Sequence, residues 1–300
     1  MQSGTLILLL ALWGAPLLAQ DSSVDQALSE TASVEPPPLP IDAVSEAQNA
    51  SDLDVVRETA AMPPDPALYL LGERVAPGTK ARLFWRSGAT FLGDSMQVPI
   101  NVVHGAKPGP VLCLTGAIHG DELNGVEVIR RVLGSLDADD LVGTVIGVPI
   151  VNMAGFSRGS RYLPDRRDLN RFFPGNVNGS SASRIARDFF DLVVIHCDAL
   201  VDFHTGSFDR ANLPQVRGDL RLPSVVDLTR RFGATAVLHT PSARGMLRRA
   251  ATDAGISAVT FELGAPVRLE PAEIEHGVAA IETLMNNMGM TQRVRQWHEP

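Results

Sequence analysis

Val111-Leu-Cys-Leu-Thr-Gly-Ala-Ile-His-Gly-Asp-Glu-Leu-Asn-Gly-Val-Glu-Val-Ile-Arg-Arg-Val-Leu133 changes its period part-way along. Residues 111–117 are a short apolar run and predict a buried strand, whereas residues 121–133 carry Val126, Ile129, Val132 and Leu133 at helical spacing. His119 and Glu122 therefore flank the turn from strand to helix. Two intervening residues let the chain curl so that both side chains face one point. Read alone, the fragment also fits a loop histidine beside a helix-start carboxylate favoured by the helix dipole.

Two further fragments have the same setting. Val201-Asp-Phe-His204 and Thr260-Phe-Glu262-Leu-Gly264 each end an apolar run of the kind that forms a buried strand. His119, Glu122 and His204 together make two imidazoles and a carboxylate, the ligand set of a catalytic zinc with one position open to water. One Zn2+ per chain is expected. Glu262 is left over as an unpaired carboxylate, placed for a general base at the carboxyl edge where open α/β sheets collect ligands. Its alternative role is an ion pair with a nearby arginine.

The remaining order of elements is read from the same periodicities. Strands are expected at 97–104, 144–151, 199–204, 234–238 and 257–262 besides 111–117, with Lys107-Pro-Gly-Pro110 as a turn. Helices are expected at 121–133, 182–195, 225–232, 245–254 and 271–288. Such alternation predicts an α/β fold, a three-layer α/β/α sandwich around a mixed, largely parallel sheet. After residues 144–151 comes Arg158-Gly-Ser-Arg161-Tyr-Leu-Pro-Asp-Arg-Arg-Asp168-Leu-Asn170-Arg171-Phe-Phe-Pro-Gly175, rich in glycine, proline and charge. It predicts a long ordered loop, and long loops inside compact domains are usually functional. A guanidinium fork suits a carboxylate or a developing oxyanion, and Arg161 and Arg171 are the arginines assigned to that work.

Taken in order, the motifs HGDE, SRYLPDRRDLNRFFPG, DFHTG, NLPQVR, LRRAA and TFELG resemble the succinylglutamate desuccinylase and aspartoacylase family, a branch of the zinc carboxypeptidase superfamily. The resemblance runs from about residue 98 to 289. It implies a zinc-carboxypeptidase-like fold and zinc ligation by His119, Glu122 and His204. It further implies that Asn170 and Arg171 hold a substrate carboxylate, that Arg161 polarises the scissile carbonyl and that Arg248 is another carboxylate contact. Asp168 would accept a hydrogen bond from a liganding imidazole and fix its tautomer. The implied reaction is hydrolysis of the amide of an N-acyl amino acid, with Glu262 carrying the proton from water to the departing amine.

Two other readings stand beside this one. A zinc carboxypeptidase or amidase acting on peptides or cell-wall peptides differs only on the acyl side. A non-catalytic periplasmic binding module would require the metal set or Glu262 to be dispensable, although the sequence keeps all of these groups. The chain also departs from its relatives. It stops soon after the last expected helix, so no small β-rich C-terminal domain is expected over the cleft, and neither Tyr69 nor Tyr162 is placed like the lid tyrosine of carboxypeptidases.

Composition narrows the partners. Lys plus Arg is 26 against 34 for Asp plus Glu, a net charge of −8 over 300 residues. Residues 20–66 hold ten of the acids and only one base, Arg57, which leaves 24 acids and 25 bases for residues 67–300. A nearly neutral catalytic region argues against nucleic acid, which needs a basic face. Small N-acyl amino acids or short peptides are the expected partners.

Residues 1–19 have the apolar core Leu6-Ile-Leu-Leu-Leu-Ala-Leu12 and a small residue at Ala19, the shape of a secretory signal peptide without a basic residue before the core. A periplasmic or secreted location follows, with membrane association only if the segment stays uncleaved. Residues 20–66, acidic and interrupted by Pro36-Pro-Pro-Leu-Pro40 and Pro63-Pro64, predict a disordered tether in which the proline run is a stiff spacer or a polyproline ligand. The catalytic domain is expected over 67–300. Cys113 and Cys197 read as small core hydrophobes, with a disulfide permitted by that compartment.

Overall fold

The computed structural model describes residues 66–89 and 95–292. The expected signal peptide at 1–19, the tether at 20–66 apart from its last residue, and the final residues 293–300 lie outside the described residues.

In chain order the elements are β1 (Leu68–Leu70), β2 (Glu73–Val75), β3 (Thr79–Ala89), β4 (Ser95–His104), β5 (Lys107–Thr115), α1 (Asn124–Ser135), β6 (Val142–Val148), α2 (Met153–Phe156), α3 (Ser181–Leu192), β7 (Ala199–His204), β8 (Asn212–Gly218), α4 (Pro223–Arg230), β9 (Ala236–His239), α5 (Leu247–Asp253), β10 (Ser257–Gly264) and α6 (Pro271–Asn287). β1 and β2 form a small antiparallel ribbon. The other eight strands make one sheet in the order β3-β4-β6-β5-β7-β10-β8-β9. Its centre, β6-β5-β7-β10, is parallel throughout. The joins β3-β4, β4-β6 and β10-β8 are antiparallel, and β8-β9 is parallel again.

Side chains alternate between sheet faces, and this alternation sorts the core. Leu112 and Leu114 of β5, Val201 and Phe203 of β7, and Val259 and Phe261 of β10 pack with α1, α4 and α6. Cys113, Leu200 and Ala258, one residue out of phase, face α3 and α5. Three layers result, as the alternating sequence implies.

Several boundaries move. Lys107-Pro-Gly-Pro110 is no turn: it opens β5, with a register shift between Lys107 and Val111. α1 begins at Asn124 rather than 121, which leaves His119 to Leu123 free to shape the turn. β6 ends at Val148, three residues early, and the chain then winds into α2. The two cysteines are joined: Cys113 of β5 is disulfide-bonded to Cys197, across 84 residues of chain, so neither is a free core thiol. Among the described residues no helix is long and apolar enough to cross a membrane.

Candidate metal centre and active site

Three adjacent parallel strands deliver the site at their carboxyl ends. His119 and Glu122 follow β5, His204 ends β7, and Glu262 lies near the end of β10, directly paired with His204 in the parallel register. Parallel neighbours in register share a face, so His204 and Glu262 both project on the α5 side of the sheet. The turn between β5 and α1 is tight: a Cβ on Gly120 would come within 2.1 Å of the backbone at Gly155 and Phe156, so only glycine lets this turn press against α2.

His119, Glu122 and His204 are buried, and each offers a donor atom within 4.8 Å of the others. His119 Nδ1 lies 2.9 Å from Glu122 Oε1, His204 Nδ1 lies 2.9 Å from Glu122 Oε2, and the two Nδ1 atoms are 3.1 Å apart. The opposite ring nitrogens are both held by carboxylates. His119 Nε2 is 3.0 Å from Asp168 Oδ1, and His204 Nε2 is 2.7 Å from Asp202 Oδ2. A carboxylate only accepts, and each ring touches one at both nitrogens; in a neutral ring that gives its Nε2 hydrogen to Asp168 or Asp202, Nδ1 is left with a lone pair turned inward. Two such lone pairs and a carboxylate converging in a buried space could hold a metal ion between them. Donors of a tetrahedral zinc site at about 2.0–2.1 Å from the ion stand roughly 3.3 Å from one another, close to the spacing seen here.

The electrostatics agree. Burial works against charge on Glu122, yet the charges and hydrogen bonds of His119 and His204 outweigh it and hold the carboxyl well below its ordinary range. Burial also opposes charge on His204, but Asp202 and Glu122 more than offset this and raise its proton affinity well above the ordinary imidazole value. A proton and a metal cation compete for that same lone pair. Asp168 is likewise held low: burial opposes its charge, and hydrogen bonding and charge from His119, with Arg161 and Arg171, prevail.

Glu262 lines the same cavity, of about 340 Å³, and both of its oxygens have partners. Asn212 Nδ2 donates to Oε2 at 2.8 Å, and Arg217 Nη1 lies 3.0 Å from Oε1. The ion-pair role and a place at the cavity wall thus coexist. Arg161 donates from Nη1 to Glu122 Oε1 at 2.9 Å and lines the cavity beside it.

The carboxylate-reading candidates are also brought together. Asn170 is buried, and its Oδ1 accepts from the Leu247 backbone at 2.8 Å, tying the arginine loop to the start of α5 and so to Arg248. The side chain of Arg171 is about half exposed, with Nη1 bonded to the Asn170 carbonyl. Arg248 is 4% exposed and lines the cavity, and its Nε and Nη1 have no hydrogen-bond partner. Burial pushes its guanidinium down to about 10, still protonated at neutral pH. An unpaired buried cation is costly, and a guanidinium so placed at a cavity wall suits an anionic group.

His119, Glu122, Arg161, Asn170, Arg171, His204, Arg248 and Glu262 thus line one cavity, and Asp168 lies against His119 and Arg161 beside it. The sequence reading misses Asp202, Asn212 and Arg217. Asp202 sits two residues before His204, which the strand period places on the same face, and Arg217 lies inside the NLPQVR motif next to the buried Val216.

Residues 108–288 match the family model of the succinylglutamate desuccinylase/aspartoacylase catalytic domain. The chain belongs to this family. Among curated proteins it resembles the N-alpha-acetyl-L-2,4-diaminobutyric acid deacetylase of Halomonas elongata, 37% identical over 113 residues, 37% of this chain and 33% of that one. The matched stretch thus spans about a third of that relative's length. Among solved structures, the family member from Rhodobacter sphaeroides aligns at 26% identity and TM-score 0.63, over 71% of this chain and 66% of its own. The product-bound Ectoine utilization protein EutE (DoeB) from Ruegeria pomeroyi aligns at 26% and 0.64, over 74% and 70%. A metallo-carboxypeptidase from Burkholderia cenocepacia, at 16% identity and TM-score 0.54 over 69% and 65%, shares the fold. Membership makes the chain one of a family of deacylases built on a metallohydrolase-like fold.

Proposed function

We propose that the protein is a zinc-dependent deacylase that hydrolyses the amide of an N-acyl amino acid carrying a free carboxylate. The convergence of the His119 and His204 Nδ1 atoms on Glu122, beside the cavity-facing Glu262, is the observation that carries this reading. His119, Glu122 and His204 would hold one zinc ion, with Asp168 and Asp202 fixing the imidazole tautomers. A bound zinc ion supplies Lewis-acid polarisation and a more acidic water. Glu262 takes the proton of the attacking water and returns it to the departing amine. Arg161, against Glu122, stabilises charge building on the carbonyl oxygen. Arg171, Asn170 and Arg248 hold the substrate carboxylate.

The wall chemistry extends the reading to substrate charge. Arg161, Arg171, Arg210, Arg217 and Arg248 line the cavity against only two glutamates, Glu122 and Glu262. Such a wall favours an acidic acyl or amino-acid portion over the basic side chain of a diaminobutyrate derivative. A peptide with a free C-terminus meets the same requirement, so peptidase activity is the second reading. The cavity shared by the metal set and Glu262 disfavours a binding-only module.

Residues 1–19 are proposed as a secretory signal, 20–66 as a tether and 67–300 as the catalytic domain, which places the enzyme in the periplasm or outside the cell. The Cys113–Cys197 disulfide supports an oxidising compartment. The deciding experiment is metal analysis with a hydrolysis screen of N-acyl amino acids and peptides. Glu262→Gln should keep zinc and lose about 10²-fold or more in kcat. Wild-type turnover without bound metal, or unchanged turnover in the variant, would overturn the proposal.

A further inference from the structure

Each of the three strand exits that build the site is followed, two residues on, by a member of one hydrogen-bonded knot. Asn124 follows Glu122, Gly206 follows His204, and Gly264 follows Glu262. The buried Asn124 amide donates from Nδ2 to the Leu263 carbonyl at 2.9 Å and to Glu270 Oε2 at 3.0 Å, while its Oδ1 accepts from the Glu270 backbone at 2.9 Å. The same Glu270 oxygen accepts from the Ala265 backbone at 2.7 Å. Gly206 N donates to the Gly264 carbonyl at 2.9 Å.

The knot leaves no slack. Gly264 has φ +69, and a Cβ there would lie 2.1 Å from Glu270 Oε2 and 2.8 Å from Asn124 Nδ2, so the exit of β10 is closed onto the Asn124–Glu270 pair. Neither of those two side chains lines the cavity. Helix packing alone would leave the start of α1 free to adjust against β10 by fractions of an ångström. The reciprocal bonds remove that freedom between the start of α1, which follows Glu122, and the end of β10, which carries Glu262.

We propose that Asn124 and Glu270 are positioning residues that fix the metal-ligand turn at Glu122 against the strand end carrying Glu262. The inference rests on the deacylase reading for its catalytic consequence. Displacement of reacting groups by about 1 Å can cost on the order of 10²-fold in rate without loss of binding. Because one Glu270 oxygen accepts both side-chain-directed bonds, glutamine can reproduce them with its carbonyl oxygen, whereas alanine cannot.

The test uses the full chain, metal-loaded, as wild type, Glu270→Ala and Glu270→Gln. Glu270→Ala should bind zinc stoichiometrically, keep KM within about threefold and lose about tenfold or more in kcat, while Glu270→Gln stays within about threefold of wild type in both. Substitution of cobalt for zinc adds a readout independent of turnover: Glu270→Ala should shift the visible ligand-field spectrum, and Glu270→Gln should not. Should Glu270→Ala not fold, the isosteric Asn124→Asp removes the two donated bonds and carries the same expectations. An unaltered kcat and cobalt spectrum in the folded alanine variant would overturn the proposal. So would equal losses in the glutamine and alanine variants. A wild type that hydrolyses nothing would sink the deacylase reading instead, and the cobalt spectra would still decide the clamp.

Discussion

Arg217 Nη1 lies 3.0 Å from Glu262 Oε1, on a neighbouring strand that runs antiparallel to the one bearing Glu262. The pair fixes the carboxylate at the cavity wall, since Asn212 holds its other oxygen. Arg217→Ala should retain zinc and lower kcat by about tenfold, with Arg217→Lys in between, because an ammonium keeps the charge but loses the planar fork. Steady-state kinetics on the zinc-loaded variants check this. An alanine variant with wild-type kcat would show that Asn212 alone is sufficient.

The metal set separates direct from indirect support. His119→Ala should lose most of its zinc, whereas Asp202→Asn, which alters the contact to the far nitrogen of His204 while leaving an oxygen for the Thr115 hydroxyl, should weaken zinc by about 10- to 100-fold. Competition with a chelator of known affinity measures both. Full occupancy in His119→Ala would exclude the assigned cradle.

Arg248 offers a clean test of what the cavity reads. With two unpaired donors in a buried guanidinium, Arg248→Met should relieve a desolvation cost and leave the fold at least as stable, yet raise KM for acidic substrates by about tenfold or more. N-acyl aspartate or glutamate should be preferred over N-acetyl diaminobutyrate in the wild type. A preference for the basic substrate would contradict the charge argument.

The disulfide carries a stability prediction. Closing a loop with 84 residues of sequence separation is worth on the order of 4–5 kcal/mol in the chain-entropy model, and measured losses for native bonds run about 2–5 kcal/mol. Cys113→Ala with Cys197→Ala should therefore lower Tm by about 5–15 °C while leaving the zinc site formed. Thermal unfolding with and without reductant is the check, and an unchanged Tm would remove the bond from the stability account.

The parallel centre of the fold was legible because its strands are continuous apolar runs separated by helical periods. β3 and β8 were not. In β3 the buried Leu83 and Trp85 alternate with exposed Arg82, Phe84 and Arg86, a one-sided pattern that a search for apolar runs passes over. β8 contains Pro214 and Gly218 around a single fully buried apolar side chain, Val216, and it lies between β10 and β9 out of chain order. The metal ligands could be read locally, since His204 ends a recognisable strand and His119 and Glu122 lie in the turn that follows another. The partners of Glu262 could not, because Arg217 and Asn212 reach it only through that out-of-order pairing. Only the family resemblance, and not the local pattern, distinguishes Arg248, almost wholly buried, from Arg249, which is spent on Asp253 at the surface of the same helix.

The Cys113–Cys197 bond also makes a covalent ring of the chain between them. His119, Glu122, Arg161, Asp168, Asn170 and Arg171 all lie on that ring, while His204, Glu262 and Arg248 lie on the tail that leaves it. Among its exposed stretches are residues 157–159 and 164–167, in a loop of the kind that proteases nick. A single nick there opens the ring without releasing either half, so both pieces of the site stay tethered until the bond is reduced. In an oxidising, protease-rich surrounding, such a clipped molecule would migrate as one chain without reductant and as two fragments with it.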